Sequence, residues 1–158
     1  GVWLEERGIG SVFVDARDSS FDDNGQVPLD PDDLGSGFEV IESGSGTMDA
    51  RFLSTSFDRN ADHGLDLDEQ GSGDLRGTLT AVSAASNEAD GVHLGEDGDG
   101  DLTGQIVSSS IRGNGDDGID AIQAGAGSGQ LQLVSVTLTG NAGDDLASSG
   151  VTVTQAGG

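Results

Sequence analysis

Residues 60–65 read NADHGL, and the same frame returns as NEADGV at 87–92, NGDDGI at 114–119 and NAGDDL at 141–146. Asn60, Asn87, Asn114 and Asn141 are therefore spaced by 27 residues each time, and Asn24 is the one other asparagine of the chain. A fixed period of this size marks a repeat architecture, in which each unit buries its apolar face on its neighbour. Other columns keep the same phase. Gly44, Gly71, Gly98 and Gly125 recur with Gly46, Gly73, Gly100 and Gly127 as a Gly-x-Gly element. Phe38, Leu65, Val92 and Ile119 form one apolar column, Phe52, Leu79, Ile106 and Leu133 a second, and Phe57, Ala84, Ile111 and Leu138 a third.

The first 36 residues fit the template at an offset of 36, with Gly1, Val2, Leu4, Glu6, Gly8, Gly10, Phe21 and Asn24 falling on Gly37, Phe38, Val40, Glu42, Gly44, Gly46, Phe57 and Asn60. The extra residues then form a loop insertion at 25–36, which holds both prolines, Pro28 and Pro31, as a surface loop would. The units are 1–36, 37–63, 64–90, 91–117 and 118–144, with a partial one at 145–158 that drifts out of pattern after Leu146. An uncovered apolar first coil and a shortened last one predict a single β-helix segment of a longer protein, with flanking coils of that chain as its neighbours.

Within a unit the apolar residues alternate, as in Gly64-Leu65-Asp66-Leu67, which is the period of a strand facing a core on one side. Helical spacing is absent, and helices would not tolerate so many glycines per unit. The pattern predicts an all-β fold, a parallel β-helix (β-solenoid) of about six coils with a 27-residue repeat. Stacked coils place each strand on its copy at about 4.8 Å. The Asn column predicts an amide ladder of Asn24, Asn60, Asn87, Asn114 and Asn141, each side chain bonding to the next. On these Asn-containing frames the chain resembles the right-handed parallel β-helix repeat family, the pectin-lyase-like fold. The resemblance implies the fold, and its shared residues are structural.

Composition alone points elsewhere. Of 158 residues 28 are Gly, 33% are hydrophobic, and 29 acids face six Arg and no Lys for a net charge of −23, which is near the signature of a disordered chain. Stacking resolves the conflict, since all units share one thin interior. Zero Cys excludes disulfides and thiolate chemistry. No apolar run is long enough for a membrane-spanning helix, and a surface this negative repels nucleic acid. Such acidity fits high salt, a halophilic setting, and a secreted or cell-surface location.

If Leu65 and Leu67 point inward, the column Trp3, Glu39, Asp66, His93, Asp120 points outward. In polysaccharide lyases of the resembled family the corresponding strand lines the substrate groove. That makes Asp66, His93 and Asp120 candidate catalytic residues, a histidine between carboxylates being suited to acid or base work, and Trp3 and Glu39 candidate contacts to a polysaccharide or cell-surface glycan. The alternative is a solvated outer face of an acidic solenoid, since fold does not imply function. The family's lyases use a basic Arg or Lys with calcium carboxylates. Here Lys is absent and no Arg shares the column, so that constellation does not carry over. His63 stands where Asp90, Asp117 and Asp144 stand in later units and reads as a surface variant of a turn acceptor.

Two further acidic features invite a cation, although the fold requires no cofactor. Glu6, Glu42, Glu69, Glu96 and Gln123 share one phase, and like charges at this spacing repel by roughly 1 kcal/mol per pair in water. Asp97, Asp99 and Asp101, with Asp74 one coil below, offer carboxylates on Gly-rich corners suited to Ca2+. The expected function is a non-catalytic structural or adhesive segment, with part of a carbohydrate-active enzyme as the alternative.

Overall fold

The computed structural model describes residues 1–25 and 35–157. Pro28, Pro31 and most of the loop insertion at 25–36 lie outside the described residues. Among the described residues every regular element is a strand, and the strands form three parallel sheets. The first sheet stacks β1 (Val2–Glu6), β3 (Phe38–Glu42), β5 (Leu65–Glu69), β8 (Val92–Glu96), β11 (Ile119–Gln123) and β14 (Leu146–Ser149). The second stacks β2 (Val12–Arg17), β4 (Met48–Leu53), β6 (Leu75–Thr80), β9 (Leu102–Val107), β12 (Gly129–Val134) and β15 (Val151–Ala156). A shorter third wall, β7 (Ser83–Ala85), β10 (Ser110–Arg112) and β13 (Thr137–Thr139), is continued toward the first coil by bridges from Ser83 to Ser56 and Ser20. The protein is a parallel β-solenoid with four full 27-residue turns, preceded by the first unit and followed by a shortened one.

Register follows the sequence columns. Val2 lies against Phe38, Phe38 against Leu65, Leu65 against Val92 and Val92 against Ile119. The inward side chains bury almost completely: Val40, Leu67, Leu94 and Ala121 line one wall, Phe52, Leu79, Ile106 and Leu133 another, and Phe57, Ala84 and Ile111 the third. Four phenylalanines concentrate in the first coils. Phe52 meets Phe38 and Phe57 edge-on at 5.3 and 5.1 Å between ring centroids, and Phe21 stacks on Phe57 at 5.7 Å.

The corners explain the glycines. A side chain on Gly71, Gly98 or Gly125 would land on the carbonyl oxygen of the glycine one coil earlier, so the corner can stack only without one. Two further bends per coil take positive φ. One closes the second sheet, at Asp18, Ser54, Ala81, Ser108 and Ser135, and one precedes the ladder, at Asp23, Arg59, Ser86, Gly113 and Gly140.

The sixth unit continues as structure beyond the point where its pattern fades. β12 and β9 pair at an interval of 27 residues, but β15 lies on β12 at an interval of 22, with Gly129 against Val151. The Gly-x-Gly corner has been cut out, and Gly150 at φ 69° turns the chain in its place.

The Asn ladder forms as the spacing predicts. Asn60 donates from its backbone and side-chain nitrogens to Asn87 Oδ1, Asn87 does the same to Asn114, and Asn114 to Asn141, at 2.9 to 3.1 Å. Asn24 donates to Asn60 in the same way.

Candidate functional site

The outward column of the first sheet brings Asp66, His93 and Asp120 opposite one another on β5, β8 and β11. Strand alternation aims them out while Leu65, Leu67, Val92, Leu94, Ile119 and Ala121 fill the core. His93 is the centre. Its side chain is only 18% exposed, with Nδ1 at 3.4 Å from Asp120 Oδ2 and 3.9 Å from Asp90 Oδ2, and Nε2 at 3.4 Å from Asp68 Oδ1. Asp66 completes the cluster beside Asp68.

Two further acids join the cluster, Asp68, which no sequence column marks, and Asp90, which its column marks only as a turn acceptor. Asp68 is paired in register with Gly95, and a side chain at Gly95 would collide with Asp68 Oδ1 and His93 Nε2. The glycine thus opens the space through which Asp68 reaches the imidazole. Asp90 is a turn acceptor, as its column predicts: its Oδ1 accepts the Asp117 N–H at 2.8 Å, and Asp117 does the same for Asp144. Its second oxygen remains directed at the histidines. His63 fills the same acceptor role one coil earlier, its Nδ1 accepting the Asp90 N–H at 3.3 Å. Rather than standing on an open surface, His63 is half-buried, with its ring 5.5 Å from that of His93.

The cluster is electrostatically strained. Burial pushes Asp66 up to about 6, with the neighbouring charge of Asp68 adding to it and the histidines opposing. Burial works to lower His93, but the contact with Asp68 and the fields of Asp66, Asp68 and Asp120 outweigh it and raise the imidazole to about 9. Burial also raises Asp120. Asp90 goes the other way: burial would raise it, yet His63 and the Asp117 N–H together hold it below the usual range. Two polar atoms here are fully buried without a hydrogen-bond partner, His93 Nδ1 and Asp66 Oδ1.

The other candidates are spread apart. Trp3 and Glu39 share the column, Trp3 lying opposite Glu39 and Glu39 opposite Asp66, and the indole is 61% exposed. Asp97, Asp99 and Asp101 lie exposed around the Gly98-Asp99-Gly100 corner. Asp74 accepts the Asp101 N–H and pairs with Arg76, while Asp101 Oδ1 accepts both the N–H and the hydroxyl of Ser128. Three clusters of metal-ligating atoms form among the described residues, and none includes Asp74, Asp97, Asp99 or Asp101.

The glutamate column faces inward. Glu42, Glu69 and Glu96 are completely buried, each Oε1 accepting the N–H of the glycine two residues on, and each Oε2 buried without a hydrogen-bond donor. Strand parity carried that signal, since Phe38, Val40 and Glu42 alternate on one side. The outer face of the second sheet forms a groove of about 600 Å3. Arg51, Arg76, Thr78, Gln105, Gln132 and Thr154 line it.

Comparison with protein-family models, curated proteins and solved structures finds no match.

Proposed function

We propose that the chain is a non-catalytic structural and adhesive β-helix segment of a large secreted or cell-surface protein. We further propose that it is of the right-handed, pectin-lyase-like kind, with a polysaccharide or cell-surface glycan as its ligand. The observation that carries this reading is the unbroken register of the outer columns. Each outward side chain of the first sheet lies on its counterpart one coil away from Trp3 to Asp120. Such a surface presents repeated contacts along its length and suits rigid spacing and multivalent attachment. The net charge of −23 supports an exposed, high-salt setting, where a carboxylate surface keeps the solenoid soluble.

The competing reading, a polysaccharide lyase, draws on His93 alone. A lyase base must accept a proton near neutral pH, and an imidazole raised to about 9 already holds one. The developing charge would also need a cation. Arg51, Arg59 and Arg76 are paired with Asp49, Asp23 and Asp74 away from this cluster, and Arg112 projects from the third wall.

The two readings separate in one experiment. Immobilised protein is presented to a glycan array and, in parallel, incubated with uronate polysaccharides. Retention of a glycan that weakens at least tenfold in Trp3→Ala, with no release of unsaturated uronides, is the expected outcome. Uronide release that disappears in His93→Ala would establish the lyase and end the adhesive reading.

A further inference from the structure

We infer that His93 Nδ1, Asp90 Oδ2 and Asp120 Oδ2 form a three-ligand site for a divalent transition-metal ion of the zinc class. These atoms lie within 4.8 Å of one another, on a strand pair and the turn that leads into it. Metal–ligand bonds of about 2.1 Å place adjacent ligands about 3.0 to 3.4 Å apart in octahedral or tetrahedral sites. The 3.4 Å between His93 Nδ1 and Asp120 Oδ2 already meets that spacing, and the 3.9 Å to Asp90 Oδ2 closes with a shift of a few tenths of an ångström. An imidazole nitrogen beside two carboxylates favours zinc, manganese or iron over calcium, which selects oxygen alone.

The surroundings are those of a ligand set. His93 Nδ1 is buried and makes no hydrogen bond while two carboxylates face it, and a metal ion would take the place of the proton on that nitrogen. At the other end of the ring, Asp68 sits 3.4 Å from Nε2. A carboxylate in that place holds the proton on Nε2 and leaves Nδ1 for the metal, the outer-sphere arrangement of histidine metal sites. Asp90 is likewise held: its Oδ1 is fixed by the Asp117 N–H at 2.8 Å, and its Oδ2 is turned to the two histidines, 3.3 Å from His63 Nδ1 and 3.9 Å from His93 Nδ1. The ring of His63 walls one side. Its own Nδ1 is occupied by the Asp90 N–H, so it is a wall and not a ligand. Three protein ligands leave further positions for water or an oxygen ligand.

The test uses the full chain stripped with a chelator and titrated with ZnCl2 in high NaCl, which screens diffuse binding to the acidic surface. One zinc per chain is expected. Co2+ in place of zinc should give visible absorption bands that zinc bleaches, a readout that requires no variant. His93→Gln and Asp120→Asn should each weaken zinc at least tenfold, Asp68→Asn should weaken it about 10- to 100-fold, and Asp97→Asn with Asp99→Asn should change nothing. Non-saturating zinc uptake equal in all variants, or Co2+ that stays spectroscopically aqueous with the wild type, would overturn the site. None of these readouts involves a glycan, so the site and the adhesive reading stand or fall separately.

Discussion

Asn87 Oδ1 accepts two hydrogen bonds from Asn60, one from its backbone N–H at 3.0 Å and one from its side-chain amide at 2.9 Å. Each middle rung thus satisfies its neighbour's backbone as well as its side chain, and Asn60, Asn87 and Asn114 are all buried. Asn87→Ala strands both donors of Asn60, while Asn114 Oδ1 loses the side-chain donor and keeps the backbone N–H of residue 87. Stranded buried groups cost about 1–3 kcal/mol each in the least compensated case, and a total loss of about 2–5 kcal/mol in urea denaturation is expected. Asn24→Ala keeps the backbone N–H that donates to Asn60 and loses the side-chain amide at the ladder's edge together with an acceptor for the exposed Gly1 ammonium, and should cost about 1 kcal/mol or less.

The buried glutamates give the solenoid an unusual pH response. Glu42, Glu69 and Glu96 are held above their ordinary value of 4.5, chiefly by burial. In the interval above 4.5 the folded chain therefore binds more protons than the unfolded chain. Their contribution is fully present below the unfolded value and is lost as pH rises through the folded values. Asp90 and Asp101, held below their ordinary value, act oppositely at lower pH. Glu69→Gln should raise the urea midpoint at pH 7 and flatten its fall between pH 4.5 and 7. Gln123 already sits in this column, with Oε1 accepting the Leu102 N–H and Nε2 donating to the Gly100 carbonyl. A midpoint lowered at pH 7 would show that the charge is accommodated.

Two backbone substitutions should move stability in opposite directions. Gly98→Ala drives a methyl group into the Gly71 carbonyl oxygen of the neighbouring coil. Rigid backbone cannot yield there, and a loss of about 3 kcal/mol or more is expected in thermal melts. Ser86 holds φ at 60° in a column where later coils have Gly113 and Gly140. Ser86→Gly relieves that left-handed strain and should stabilise by about 0.5–1 kcal/mol, net of the glycine's unfolded-state entropy.

Phe52 is the keystone of the aromatic cluster, 1% exposed and edge-on to both Phe38 and Phe57. Phe52→Ala should cost about 3–5 kcal/mol. Leu133→Ala, in the same column near the far end and 3% exposed, should cost less within the usual range of about 2–5 kcal/mol, because the neighbouring coils there are more open to water.

The fold was legible because its determinants repeat. Asn60, Gly71, Leu79 and Ile111 have copies one period away, and a backbone ladder between equal coils requires that. Features that break the period leave no such mark in the sequence. The sixth unit faded after Leu146 because its corner is five residues shorter, which shifts every later column. Asp68 joined His93 only because Gly95 lacks a side chain, a contact between coils that no single column displays. Asp90 was visible as a turn acceptor, and only its second oxygen gives it another role. The outward set Asp66, His93 and Asp120 was found by parity, and the same parity places Glu42 inside, against the usual exposure of acids.

Identical register has one more consequence, for how such a chain changes length. Excising residues 64–90 and joining 63 to 91 would lay β3 directly on β8. Phe38 would then meet Val92, Val40 would meet Leu94, Glu42 would meet Glu96 and Asn60 would meet Asn114, each a pairing of the kind already present. Because the four 27-residue turns share one register, loss or gain of one whole turn among them keeps pairings of this kind. The molecule is, in genetic terms, a tape that can be spliced at one fixed interval.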